Sequence, residues 1–170
     1  PVPDGDTGIN MKMTIENGVG EIALSDEKNI FELAKSLSRG MLMGARGNSG
    51  VILSQIFRGV SMGLEGKSQA DAVEFAHALA NGAKVAYKAV MRPVEGTILT
   101  VARESAKKAY KTVKKGTTIE AFFKILIDEA HSSLGRTPSL LPALQEAGVV
   151  DSGGAGLVYV FEGMLKALQG

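Results

Sequence analysis

The chain has 170 residues, 45% of them hydrophobic, with a net charge of +1 and no cysteine. That length suits a single domain with a substantial core, and the charge balance gives no bulk electrostatic case for binding nucleic acid or an anionic membrane. The missing cysteines exclude a disulfide framework and thiol chemistry, and two histidines make a zinc site unexpected.

The chain opens on an acidic turn, Pro1-Val-Pro-Asp-Gly-Asp-Thr-Gly8. Pro and Gly keep Asp4 and Asp6 out of a regular helix, and two carboxylates at that spacing can face one small space. Their repulsion is relieved by a cation, and hard oxygen ligands suit Mg²⁺. The same residues are also ordinary surface-turn chemistry. A helix is expected from Asn10 to Leu24 with Ile9, Met13 and Val19 inward, and a second from Asn29 to Met43, with Phe31, Leu33, Ala34, Leu37 and Met41 near a 3.6-residue period.

Gly44-Ala-Arg-Gly-Asn-Ser-Gly50 then runs into the apolar stretch Val51–Phe57, a glycine loop feeding a helix over 48–62. The free N–H groups of such a helix start attract anions, and glycine lets a phosphate approach. Asn48 and Ser49 are also good N-caps, and Arg46 either adds positive charge or is solvated. No Gly-Lys-Ser/Thr follows, so this is not a Walker loop.

Ser68-Gln-Ala-Asp71 reads as a capping box opening a helix to Val90, with Val73, Ala76, Leu79, Ala80, Ala83 and Tyr87 as its buried stripe. Pro93 breaks that helix. The next starts at Gly96 or Thr97 and ends near Gly116. Thr117-Thr-Ile-Glu120 caps another, to about Ser133. A Pro-bounded helical turn at 139–146 and a last helix over 154–168 complete the chain. Gly148-Val-Val150 has strand-like composition, whereas Leu157, Phe161, Met164, Leu165 and Leu168 recur at helical steps.

Pro3-Asp-Gly-Asp-Thr-Gly8 with Asn10, then Gly44–Gly50, then Val150-Asp-Ser-Gly-Gly154, resemble the kinase domain related to the ATP-binding L subunit of dihydroxyacetone kinase. The nearer resemblance is to the N-terminal domain of bacterial fatty acid kinases. Pro93-Val-Glu-Gly-Thr97 and Thr137-Pro-Ser-Leu-Leu-Pro142 fit the same family, so the likeness covers nearly the whole chain. It implies an all-α, up-and-down antiparallel barrel of about eight helices, the first missing or shortened here. It also implies one ATP-binding domain over 1–170, the N-terminal part of a longer cytoplasmic protein. In such a bundle every second loop shares an end. The acidic turn, the glycine loop, residues 92–97 and the 151–154 turn are therefore expected to gather around one nucleotide.

On this reading Asp4 and Asp6 bind Mg²⁺, with two ions expected, and are the catalytic pair. Thr7 and Asn10 assist, and Gly47, Asn48, Ser49 and Gly50 hold the phosphates. By resemblance Thr97 and Asp151, Ser152 and Gly153 flank the base or ribose, and a further metal ligand lies upstream of Pro1. The implied reaction is ATP-dependent phosphorylation of a fatty-acid carboxylate presented by a separate fatty-acid-binding carrier protein. A small-polyol kinase of the dihydroxyacetone type and a nucleotide-binding regulatory domain are the alternatives. No histidine lies in the acidic turn, which favours an acceptor already anionic. Further domains after Gly170 and a possible homodimer are the other expected partners, without nucleic acid or stable membrane insertion. His77 and His131 are read as structural or solvated. Lys107, Lys108 and Lys111–Lys115 read as a solvated face or a dock for an acidic carrier. Met41, Met43 and Met62 read as core filler, as does Met91 in preference to an adenine contact.

Overall fold

A computed structural model describes residues 5–170, so Asp4 lies outside the described residues. Among them are eight helices and no strand. These are α1 (Thr7–Ile22), α2 (Ile30–Met43), α3 (Gly47–Gly63), α4 (Ala72–Ala89), α5 (Ile98–Thr112), α6 (Ile119–Leu140), α7 (Pro142–Ala147) and α8 (Ser152–Gln169). Each long helix packs on the next, α6 passes to α8, and α8 closes on α1, so the all-α bundle is a closed ring around one core. Phe75, Phe122 and Phe123 meet within it at centroid distances of 5.1 to 5.9 Å. No described helix is long and apolar enough to cross a membrane.

Helix starts depart from expectation where backbone groups found different partners. The capping box of α4 lies three residues later than Ser68: Asp71 accepts from the Glu74 N–H at 2.8 Å, and Glu74 accepts from the Asp71 N–H at 3.1 Å. The Ser68 carbonyl instead accepts from the Ile30 N–H at the start of α2. Thr118, not Thr117, caps α6.

That helix also runs seven residues past Ser133, through Pro138. Proline removes the N–H that would reach the Leu134 carbonyl. The Thr137 hydroxyl donates to that carbonyl at 2.7 Å and so substitutes for the lost bond. Residues 148–150 form no strand, and the left-handed Gly148 closes α7.

The face that α1 turns inward is Met11, Thr14 and Gly18, whereas Ile9, Met13 and Val19 are exposed. The reason is close approach. A Cβ on Gly18 would lie 2.4 Å from Met41 Cγ and 2.7 Å from the Leu37 carbonyl, so glycine lets α2 settle there. The same device recurs between α3 and α4, where a Cβ on Gly59 would lie 2.5 Å from Gly82 Cα. At both crossings the asparagine before a glycine binds the facing backbone: Asn17 donates to the Gly40 carbonyl and Asn81 to the Gly59 carbonyl, each at 2.8 Å. Each amide hydrogen bond ties the two backbones together where they come closest. Val73, Met43, Met62 and Met91 are exposed rather than packed, while Met41 is fully buried.

Candidate functional site

Up-and-down topology puts the starts of α1, α3 and α5 at one end, and short α7 restores the parity so that α8 starts there too. The first residues of these four helices line one cavity of about 470 Å³. Aligned peptide dipoles make each start partly positive and leave N–H groups facing the cavity. Capping sharpens the contrast. The long helices that start at the far end carry side-chain caps, from Asn29, Asp71 and Thr118. At the cavity Thr97 caps α5 and Asp151 caps α8, but α1 and α3 have no side-chain cap.

The glycine loop explains the bare start of α3. Helix begins at Gly47 after Arg46, so Asn48 and Ser49 stand within the first turn rather than at the cap. Gly47 has φ +68°, and a Cβ there would lie 2.8 Å from the Asn10 amide nitrogen. The loop is tied to α1 by buried Thr14, whose hydroxyl accepts from the Arg46 N–H at 3.1 Å and donates to the Asn10 carbonyl at 2.7 Å.

Nine expected site residues meet in this cavity: Thr7 and Asn10, then Gly47, Asn48 and Ser49, then Thr97, then Asp151, Ser152 and Gly153. Gly50 does not line it and is buried against Thr14. Asp6 stands exposed at the N-cap position of α1, beside Thr7. Among the described residues no three carboxylates or imidazoles converge as a metal cluster. The donors present at this edge, the Asp6 carboxylate, the Thr7 hydroxyl and the Asn10 amide, are hard oxygen ligands of the kind Mg²⁺ takes.

Arg92, within the 92–97 segment expected at the site, is the cation among the described lining residues, whereas Arg46 is exposed and does not line the cavity. Sequence reading missed two further features. Val51, Ile52, Val90, Val94, Ile98 and Leu99 give the cavity an apolar side. Thr137, far along the chain, accepts from the Asp151 N–H at 3.2 Å and so sets the entry to α8.

Asp151 is buried and accepts from the Gly154 N–H at 2.8 Å. Burial pushes its carboxyl above its ordinary value, against the pull of the Gly154, Ile98 and Gly153 N–H groups. A carboxyl raised in the fold binds its proton more readily folded than unfolded. Its stabilising contribution is therefore full below the ordinary 3.8 and is lost as pH rises through the raised value. Glu74 and Glu120 behave oppositely. Hydrogen bonds from the Asp71 N–H and the Gln169 amide hold them low, so their contribution is lost only as pH falls. As pH rises from below the ordinary 3.8, thermal melts of the wild type should lose a component of stability that Asp151→Asn does not lose. Parallel profiles would show that Asp151 carries no burial penalty.

A family profile described as the DAK2 domain matches residues 1–166. The chain belongs to the DAK2 domain family. This family is associated with kinase-like proteins. Over 170 residues the chain is 56% identical to Protein YloV of Bacillus subtilis (strain 168). It is 52% identical to an uncharacterized protein of Staphylococcus epidermidis and 51% identical to one of Staphylococcus aureus. All of this DAK2 chain is covered in each comparison, and it spans 31% of the length of each relative.

Proposed function

We propose that this DAK2 domain binds Mg-ATP in the cavity and transfers the γ-phosphoryl group to a fatty-acid carboxylate presented by a separate lipid-binding protein. The observation that carries the reading is the convergence of four helix starts, two without side-chain caps, on one cavity. Phosphoryl transfer asks a protein mainly for positioning and charge neutralisation, and helix starts provide both. The N–H groups opening α1 and α3 hold phosphate oxygens, with Asn48 and Ser49 beside them. Asp6, with Asp4 from outside the described residues, holds the metal with help from Thr7 and Asn10. Bound Mg²⁺ supplies neutralisation of the phosphate oxygens. Val51, Val90, Val94 and Leu99 suit a base, and Thr97, Ser152 and Gly153 face the ribose.

The acceptor assignment rests on the resemblance of the Pro3–Gly8 and Gly44–Gly50 motifs to fatty acid kinases and on the absence of histidine from the acidic turn. A carboxylate is already anionic and needs no general base. The cavity lies within the ~300–1,000 Å³ range of small-molecule sites, so a nucleotide takes it up and the acyl chain is held elsewhere. The 170 residues act as one ATP-binding domain of a longer cytoplasmic polypeptide.

Calorimetry on the full-length polypeptide tests this. Mg-ATP should bind only with Mg²⁺, and Asp6→Asn should weaken it by roughly tenfold or more, about 1.4 kcal/mol. Unchanged affinity in Asp6→Asn would overturn the metal assignment, and no nucleotide binding at all would overturn the kinase reading. Turnover with a free polyol but not with carrier-bound fatty acid would move the acceptor to the dihydroxyacetone class.

A further inference from the structure

We infer that Tyr87, Glu95 and Arg103 form a positioning triad that fixes the nucleoside side of the cavity, so that recognition of the base and ribose depends on it while phosphate binding does not. The inference rests on the nucleotide reading above. Residues 90–97 connect α4 to α5 and supply Arg92, Val94 and Thr97 to the cavity, although positions 91 to 95 are exposed and in no helix. An exposed connection that must present a binding wall needs an anchor.

Its far end is held from within. The Gly96 N–H donates to buried Thr100 Oγ1 at 2.8 Å, and Thr97 Oγ1 donates to the Val94 carbonyl at 2.7 Å. Glu95, between them, reaches to both neighbouring helices instead of the cavity. Tyr87 Oη on α4 donates to Glu95 Oε2 at 2.7 Å, Arg103 Nε on α5 donates to Tyr87 Oη at 3.0 Å, and Arg103 Nη2 pairs with Glu95 Oε1. The guanidinium also lies over the Tyr87 ring, 5.8 Å from its centroid.

The three contacts close on one another, and the planar fork of arginine holds two partners at a fixed angle where lysine cannot. Arg103 and Glu95 are 42% and 45% exposed, and ion pairs that open to water add little stability. What the cluster provides is geometry: it sets Val94 and Thr97 by fixing the residue between them. The phosphate side is built from the starts of α1 and α3, which the triad does not touch.

The test uses the full-length polypeptide with Arg103→Met, which keeps the apolar stem, and with Tyr87→Phe and Arg103→Lys. Calorimetry with Mg-ATP and with Mg-tripolyphosphate separates the two sides of the cavity. Arg103→Met should weaken Mg-ATP about tenfold and leave Mg-tripolyphosphate within about twofold. Amide exchange at 94–97 should accelerate while the core amides of α5 stay protected. Tyr87→Phe should give a smaller loss of the same pattern, and Arg103→Lys should recover only part of the affinity. Equal losses for both ligands with a lowered melting temperature would reduce the triad to a structural role and overturn the inference. If the wild type binds neither ligand, the nucleotide reading fails by itself; unchanged exchange at 94–97 in Arg103→Met would then overturn the anchor as well, and acceleration would uphold it.

Discussion

Gly50→Ala is expected to lower turnover of the proposed phosphoryl transfer about 100-fold while leaving the protein folded. A Cβ at this position would lie 2.5 Å from Thr14 Oγ1. Ordinary contact requires a displacement of about 1 Å, and a misplacement of that size near reacting groups can cost about 100-fold. Thr14 cannot simply turn away. Its hydroxyl holds the Arg46 N–H and the Asn10 carbonyl, the bonds that set the starts of α1 and α3 against each other. Alanine recovers up to about 1 kcal/mol through helix propensity, so the global stability loss should be small and the functional loss large. Single-turnover kinetics and urea unfolding on the same samples separate the two. The Gly50→Ala/Thr14→Ala double variant should lose less than the sum of the single variants, because the clash is gone when either partner is absent. Full activity in Gly50→Ala would show that the distance between the two helix starts does not matter.

Thr137→Val is expected to destabilise the fold by about 3 kcal/mol. Valine keeps the shape and removes the hydroxyl. Two backbone groups then lose their partner, the Leu134 carbonyl beside Pro138 and the buried Asp151 N–H. Each orphaned buried group costs about 1–3 kcal/mol. The loss should appear in the urea midpoint with an unchanged slope, and Thr137→Ser should restore most of it. Thr137→Val should also disturb Asp151, and with it the junction of α5 and α8. A midpoint equal to that of the wild type would mean that the helix past Pro138 needs no substitute hydrogen bond.

Motif order carried most of the candidate site. The Gly44–Gly50 loop, Thr97 and the 151–154 turn stand before helix starts, and parity in an up-and-down bundle brings them to one end. Local pattern was less informative about which face points inward. On α1 the apolar residues Ile9, Met13 and Val19 face water, while Thr14 and Gly18 are buried. Hydrophobicity marks what gains by burial, but where two backbones touch, the absence of a side chain decides, and periodicity does not register it. Pro138 misled for a related reason. The break that proline signals was repaired by the hydroxyl of the residue before it, and that repair depends on geometry.

By itself, then, the sequence determined an all-helical chain, the order of its helices and the loops that carry chemistry, because periodicity and turn residues act locally. Only the tertiary structure decided that α1 and α3 start without a side-chain cap hydrogen bond while their far-end counterparts have one. It alone left Arg46 off the cavity that Arg92 lines, made Gly50 a spacer and joined Thr137 to Asp151 across fourteen positions. Each of these depends on which groups from distant segments occupy the same few ångströms, a fact that ring closure creates and that no local window of residues contains.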